Sequence, residues 1–217
     1  EQTMKTITKI LLLSLAFALA AVGLSAVVAP ASAQTDTPED LSEAERATLL
    51  RMAAEEKLAH DVYLALYEKW DTAPFQRIAR SETHHFNQMS ALLGDYGISS
   101  DLDQLAEGEF GDPEFDQLYD DLVARGSESE EEALRVGAYI EELDILDLEK
   151  AISESTHADV QRAYRRLLQG SSMHLGAFVR AWESQTNQVY QPQVMTPEQL
   201  EDYQRVRMPM RGCRGWR

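Results

Sequence analysis

The stretch Ser42–Trp70, SEAERATLLRMAAEEKLAHDVYLALYEKW, decides how this chain folds. It contains neither Gly nor Pro, and Ser42-Glu43-Ala44-Glu45 has the spacing of a capping box, so a helix is predicted to start there and run to about Trp70. Leu49, Met52, Glu56, Ala59, Tyr63, Leu66 and Trp70 recur at steps of three and four and make one apolar stripe. Glu56 interrupts that stripe. A carboxylate on a core-facing stripe needs a partner, so this one segment predicts both a helical bundle and a polar site inside it. Glu55, one step round, is the alternative acid, while Lys57 and Glu68 read as surface charges.

Working outward, Asp71 to Pro74 makes a short connection, and a second helix is predicted from about Pro74 to Tyr96, with Gly97 placed to end it. Its core stripe carries Ile78, Glu82, His85, Met89 and Leu92. Between Ile98 and Ser127 the pattern is broken by Gly108, Gly111 and Asp112-Pro113, the last starting a shorter helix that ends near Gly126. Ser129-Glu130-Glu131-Glu132 offers a second capping box, and a third long helix follows to about Ile152 with Leu134, Ala138, Glu141, Ile145, Leu148 and Ile152 on its stripe. Asp144 lies one turn from Glu141 as a second inward acid. Glu142 shares its stripe with Arg135 and Glu149 and reads as the more exposed of the pair. After a turn at Ser153 to His157, a fourth long helix runs to about Gln185 and presents Val160, Tyr164, Leu167, Ser171, His174 and Phe178.

The connections run short, long, short. Short links join antiparallel neighbours and a long one spans the bundle, so the expected class is all-α, a ferritin-like four-helix bundle with a long crossover between the second and third long helices. No internal repeat or convincing strand appears. Residues 187–217, with Pro192, Pro197, Pro209 and a basic, Gly-punctuated end, read as a C-terminal tail.

Ahead of the bundle domain, assigned to 41–186, stand a linker at 34–40 and an apolar leader. Met4, Lys5 and Lys9, the apolar run Ile10 to Val28, and Ala31-Ser32-Ala33 have the layout of a secretory signal peptide over residues 1–33, with residues 1–3 upstream of a start at Met4 and read as a start-site artefact. The run approaches the length of a membrane span, but its small residues and the A-x-A site favour cleavage. Export to the periplasm, cell surface or exterior is expected, with no stable membrane association afterwards. The net charge of −17 fits an exported, soluble chain, repels nucleic acid and attracts cations. Cys213 is the only cysteine, so packing alone must hold the core.

All four long helices place an ionisable group on a core stripe, which is costly unless the groups are paired or bind metal. Glu82-Thr83-His84-His85 is a Glu-x-x-His pair whose two heads project to one side of the helix. Carboxylates and imidazoles directed inward are how di-iron and di-manganese bundles are built. The candidate ligands are Glu56, Glu82, His85, Glu141, Asp144 and His174. Counting rise from the turns puts His174 about two helical turns from the level of Asp144, so it carries less weight than the others. Oxygen and imidazole donors without thiolate suit one or two ions of iron or manganese, with zinc possible. His60, His84 and His157 fall on polar faces and read as solvated. No Gly-rich phosphate loop, nucleophile turn or basic stripe is present.

Four segments, EEKLAHDVY (55–63), SETHH (81–85), VGAYIEELDI (136–145) and GSSMHLGAF (170–178), resemble the ferritin-like family called domain of unknown function 2202, over about Leu41 to Trp182. More distantly, Glu56 with Tyr63, Glu82-x-x-His85 and Glu141-x-x-Asp144 are similar to the Glu-x6-Tyr, Glu-x-x-His and Glu-x-x-Glu elements of rubrerythrin. Where rubrerythrin carries a second Glu-x-x-His, this chain has Ser171-x-x-His174. The resemblance implies a metal centre, with possible oxygen or peroxide chemistry. Three readings stay open: a reactive metal protein, a metal-sequestering module without turnover, and a metal-free helical interaction protein. The pattern does not decide whether the chain forms a homo-oligomer.

Overall fold

A computed structural model describes residues 40–205. The expected signal segment, most of the linker and the basic end of the tail lie outside the described residues. Those described are all-helical: α1 (Glu43–Trp70), α2 (Ala73–Asp95), α3 (Pro113–Gly126), α4 (Glu130–Glu154), α5 (Ala158–Thr186) and α6 (Pro197–Arg205). No helix among them is long and apolar enough to cross a membrane.

The helix ends follow the local chemistry. Ser42 and Glu45 close the expected capping box, and α1 stops at Asp71, whose φ of 52° points its N–H back to the Tyr67 carbonyl. At the end of α2, Gly97 takes φ 63° and the N–H groups of Gly97 and Ile98 return to the carbonyls of Gly94 and Leu93, a Schellman closure. The second capping box is only half present. Ser129 accepts from the Glu132 N–H, but the Glu132 carboxylate turns instead to Arg125 at 3.1 Å and Arg135 at 3.5 Å.

The four long helices pack as two hairpins, α1 along α2 and α4 along α5, which meet through α1 against α4 and α2 against α5. Side-chain bonds give the register. Tyr63 reaches Gly137 and Glu141 while Glu45 reaches Thr156, so α1 and α4 run antiparallel. Tyr96 reaches Asp159 while Glu82 meets His174, so α2 and α5 do likewise. The crossover lays α3 against α1 and α4. Lys57 is therefore not a surface charge: it is buried, its Nζ 2.5 Å from Asp61 and 2.9 Å from the Ala106 carbonyl, where it pins the crossover to α1.

Every residue expected on the core stripes is buried except Trp70, His85 and Ile152, which are half-buried. Toward the α1–α2 turn, Tyr63, Phe75 and Phe178 form an aromatic triangle with centroids 5.1–6.1 Å apart. Gly137 admits it, because a Cβ there would lie 2.5 Å from the Phe178 ring.

Two further expectations are corrected. His157 is not solvated; its Nδ1 lies 2.8 Å from Glu45, which also accepts from the Thr156 N–H and so ties the α4–α5 turn to the start of α1. Glu142 is not the exposed acid but is fully buried. Its carboxylate accepts from the Tyr190 hydroxyl and from the backbone N–H groups of Gln193, Val194 and Met195, holding an extended segment of the tail along α4. Glu142→Ala would leave those donors without a partner. It is expected to lower unfolding stability by about 3 kcal/mol in urea titration, with the 188–196 segment becoming the most protease-sensitive part of the described chain.

Candidate metal centre

Just beyond the aromatic triangle the apolar stripes give way to a cluster of acids and imidazoles. Glu82 of α2 is central. One carboxylate oxygen lies 2.7 Å from Nδ1 of His85 and the other 2.7 Å from Nδ1 of His174. The first contact stays within one helix, as the i, i+3 spacing requires; the second crosses to α5. His85 Nδ1 also hydrogen-bonds Glu56 of α1 at 3.2 Å, and His174 Nδ1 lies 3.6 Å from Glu141 of α4. Glu141 accepts the Tyr63 hydroxyl at 2.7 Å. Asp144, one turn along, is bonded by the Ser171 hydroxyl, which also donates to the Leu167 carbonyl.

All six expected residues therefore enter one region, drawn from all four long helices. His174 is not remote from it: Ser171, one turn before, is already level with Asp144, and His174 lies beside Glu82 and Glu141. The donor atoms of Glu82, His85 and His174 fall within 4.8 Å of one another, close enough to share one ion. The expected face of His84 holds, since it is exposed. His60, expected to be solvated, is half-buried with its Nδ1 2.8 Å from Asp61.

Backbone geometry makes room for the imidazoles. A Cβ on Gly170 would lie 2.4 Å from Cε1 of His85, so only a residue without a side chain lets α5 pass the ring. The rings of His85 and His174 stand 5.5 Å apart and 30° from parallel.

Burial pulls the titrations in opposite directions. It favours neutral imidazole, yet the surrounding acids prevail: Glu56 and Glu82 raise His85 to about 11, and Glu141 and Glu82 raise His174 to about 10. Burial pushes the Glu82 carboxyl up, but the two imidazoliums hold it down at about 2. Burial wins at Glu56, which rises to about 8 despite its bond to His85. It also raises Glu141 and Asp144, with neighbouring carboxylates adding to the effect. One polar atom in the cluster, Oε1 of Glu56, is buried without a hydrogen bond, whereas Nδ1 of His174 is held in its 2.7 Å ion pair with Glu82.

The family described as Uncharacterized protein domain (DUF2202) matches residues 45–206. This chain belongs to that family. Uncharacterized protein MJ0754 of Methanocaldococcus jannaschii is 42% identical to it over 164 residues, 76% of this chain and 88% of that protein. The crystal structure of hypothetical protein MJ0754 from Methanococcus jannaschii DSM 2661 matches with a TM-score of 0.73 at 41% identity, covering 79% of this chain and 97% of the other.

All six residues of this DUF2202 cluster lie inside the matched span, as do two acids that the stripes did not select as ligands. Glu55 is only 10% exposed at its side chain, 2.8 Å from Arg51, and Asp147 is half-buried nearby. The i, i+3 spacing of Asp144 and Asp147 was the available signal for the second of them.

The ion pairs predict a pH profile for the metal-free DUF2202 protein. The imidazoles rise above their ordinary 6.5 on folding, so their stabilisation is complete below pH 6.5 and is lost as pH climbs through about 10 and 11. Glu56 acts in the same direction between 4.5 and about 8, whereas the contribution of Glu82 is lost as pH falls from 4.5 to about 2. Imidazole NMR is expected to show His85 and His174 still charged at pH 8, with urea stability already declining from about pH 6.5 upward. Titration of both rings near pH 6.5 would contradict this arrangement.

Proposed function

We propose that this chain is an exported ferritin-like metal protein that holds one or two iron or manganese ions among Glu56, Glu82, His85, Glu141, Asp144 and His174. The observation that carries this reading is the convergence of Glu82, His85 and His174 inside a buried shell of further carboxylates. Two long hairpins joined by a crossover support the ferritin-like arrangement. The apolar leader and A-x-A site support export.

The donor set fits such an ion. Glu56 Oε1 is buried without a hydrogen bond, which leaves donor capacity that the protein itself does not use. Hard carboxylate oxygen with imidazole nitrogen and no thiolate suits iron(II) or manganese(II), and zinc is accommodated by the same donors. A bound redox-active ion would supply electron transfer to oxygen or peroxide. The chain's own part is to hold the donors on rigid helices, to keep water out with the Tyr63, Phe75 and Phe178 triangle on one side, and to fix Glu141 through the Tyr63 hydroxyl. Both imidazoliums must lose their protons before they ligate, so affinity is expected to rise with pH.

A second reading rests on the same contacts. Glu82 bridges two imidazoliums at 2.7 Å on each side, which neutralises much of the buried charge without metal and would suit a metal-free interaction protein. Elemental analysis separates the two. Protein purified without a metal-binding tag and titrated anaerobically with iron(II) and manganese(II) is expected to bind one or two equivalents, with a raised melting temperature. Glu82→Ala combined with His85→Ala is expected to abolish that binding. No metal above background, and an unchanged melting temperature with chelator, would overturn the metal reading in favour of the self-paired core.

A further inference from the structure

Between the cluster and the Glu45 end of the bundle, the α1–α4 interface carries Arg51, Glu55 and Glu56 from one helix and Asp144 and Asp147 from the other. Carboxylates elsewhere in this protein are well supplied with donors: buried Glu142 takes three backbone N–H groups and a hydroxyl, and half-buried Glu45 takes the Thr156 N–H and His157. The acids on this face are not. Among the described residues Glu55 is paired with the Arg51 guanidinium alone, at 2.8 Å through one oxygen, and its other oxygen is buried without a partner. Glu56, 3% exposed, has an unbonded Oε1. The Glu55 carboxyl feels the charges of Asp147 and Asp144, and Asp144 in turn feels Glu56 more than any other charge.

These groups form a sequence rather than a knot. Asp144 and Asp147 are one turn apart on α4, Arg51 and Glu55 one turn apart on α1, and the antiparallel register sets the two pairs side by side. The outer members are half-buried and the inner end is Glu56, hydrogen-bonded to His85. Arg51, with 31% of its side chain exposed, draws on both Glu55 and Asp147 and also stands 5.6 Å over the Phe115 ring of α3, a second place for its guanidinium.

We propose that Asp147 and Glu55 form a transit site by which a divalent cation passes between α1 and α4 to Asp144 and Glu56, with Arg51 as the resident counter-charge it displaces. The inference rests on the metal-binding reading above. Oxygen-only donors suit hard ions such as manganese(II) and iron(II), and a line of carboxylates raises the local concentration of such ions and their rate of arrival.

The test is uptake of manganese(II) by the metal-free protein, timed with a dye that reports the free ion, in Glu55→Gln, Asp147→Asn and Arg51→Gln. Loading is expected to slow about ten-fold in each acid variant and to quicken in Arg51→Gln, with the final equivalents unchanged. Asp147, half-buried, tolerates amide replacement even if Glu55→Gln unsettles the core. Unaltered rates in both acid variants would overturn the transit site alone. A loss of final equivalents in either would make that residue a permanent ligand and overturn the transit role too. No uptake by the unaltered protein would overturn the metal reading and this inference together.

Discussion

The structure depends on the two 2.7 Å contacts that Glu82 makes to His85 and His174. The first stays within α2, and the second is where α2 and α5 meet through charge rather than through apolar packing. Placing an ionised carboxylate there would be prohibitive alone; between two imidazoliums it becomes tolerable, and the imidazoliums are in turn sustained by Glu56 and Glu141 from α1 and α4. Each long helix therefore supplies a group that the others require. That mutual dependence ties the register of four helices to one cluster, which hydrophobic burial by itself, being non-directional, would not do.

Small residues make this cluster geometrically possible. Gly170 removes the side chain that would strike the His85 ring, and Gly137 removes the one that would strike Phe178. Each glycine sits inside a helix, where it costs about 1 kcal/mol relative to alanine. The close approach it permits, of an imidazole in one case and of an aromatic triangle in the other, is the compensating gain. Tyr63 joins the two features, its ring in the triangle and its hydroxyl on Glu141.

The helices and the inward acids were legible because both depend on a 3.6-residue period that the chain states locally. Glu56, Glu82, Glu141 and His174 fall on stripes of Leu, Met and Ile, and they are buried where the stripes put them. What was illegible depends on distant segments. Glu142 reads as exposed beside Arg135 and Glu149 because its partners are backbone N–H groups some fifty residues on, and backbone donors leave no mark in a sequence. Lys57 was misread for a related reason: the crossover covers a face of α1 that an isolated helix pair would leave wet. The depth of His174 could not be counted from turns, since an error of about two residues at each of two helix ends shifts it by about a full turn.

Buried and half-buried carboxylates in this chain thus come in two kinds. Glu45 and Glu142 are saturated with donors, and each fastens one element to another, the α4–α5 turn to α1 and the tail to α4. Their satisfaction makes the periphery rigid without leaving anything for a ligand. Glu55, Glu56 and Asp144 have too few donors, and burial pushes all three carboxyls up. A core that needed only stability would have replaced them with apolar residues of similar size, since such exchanges are often neutral or stabilising. At the level where all four long helices contribute polar groups, these under-supplied carboxylates are the donors that the proposed metal ion would use.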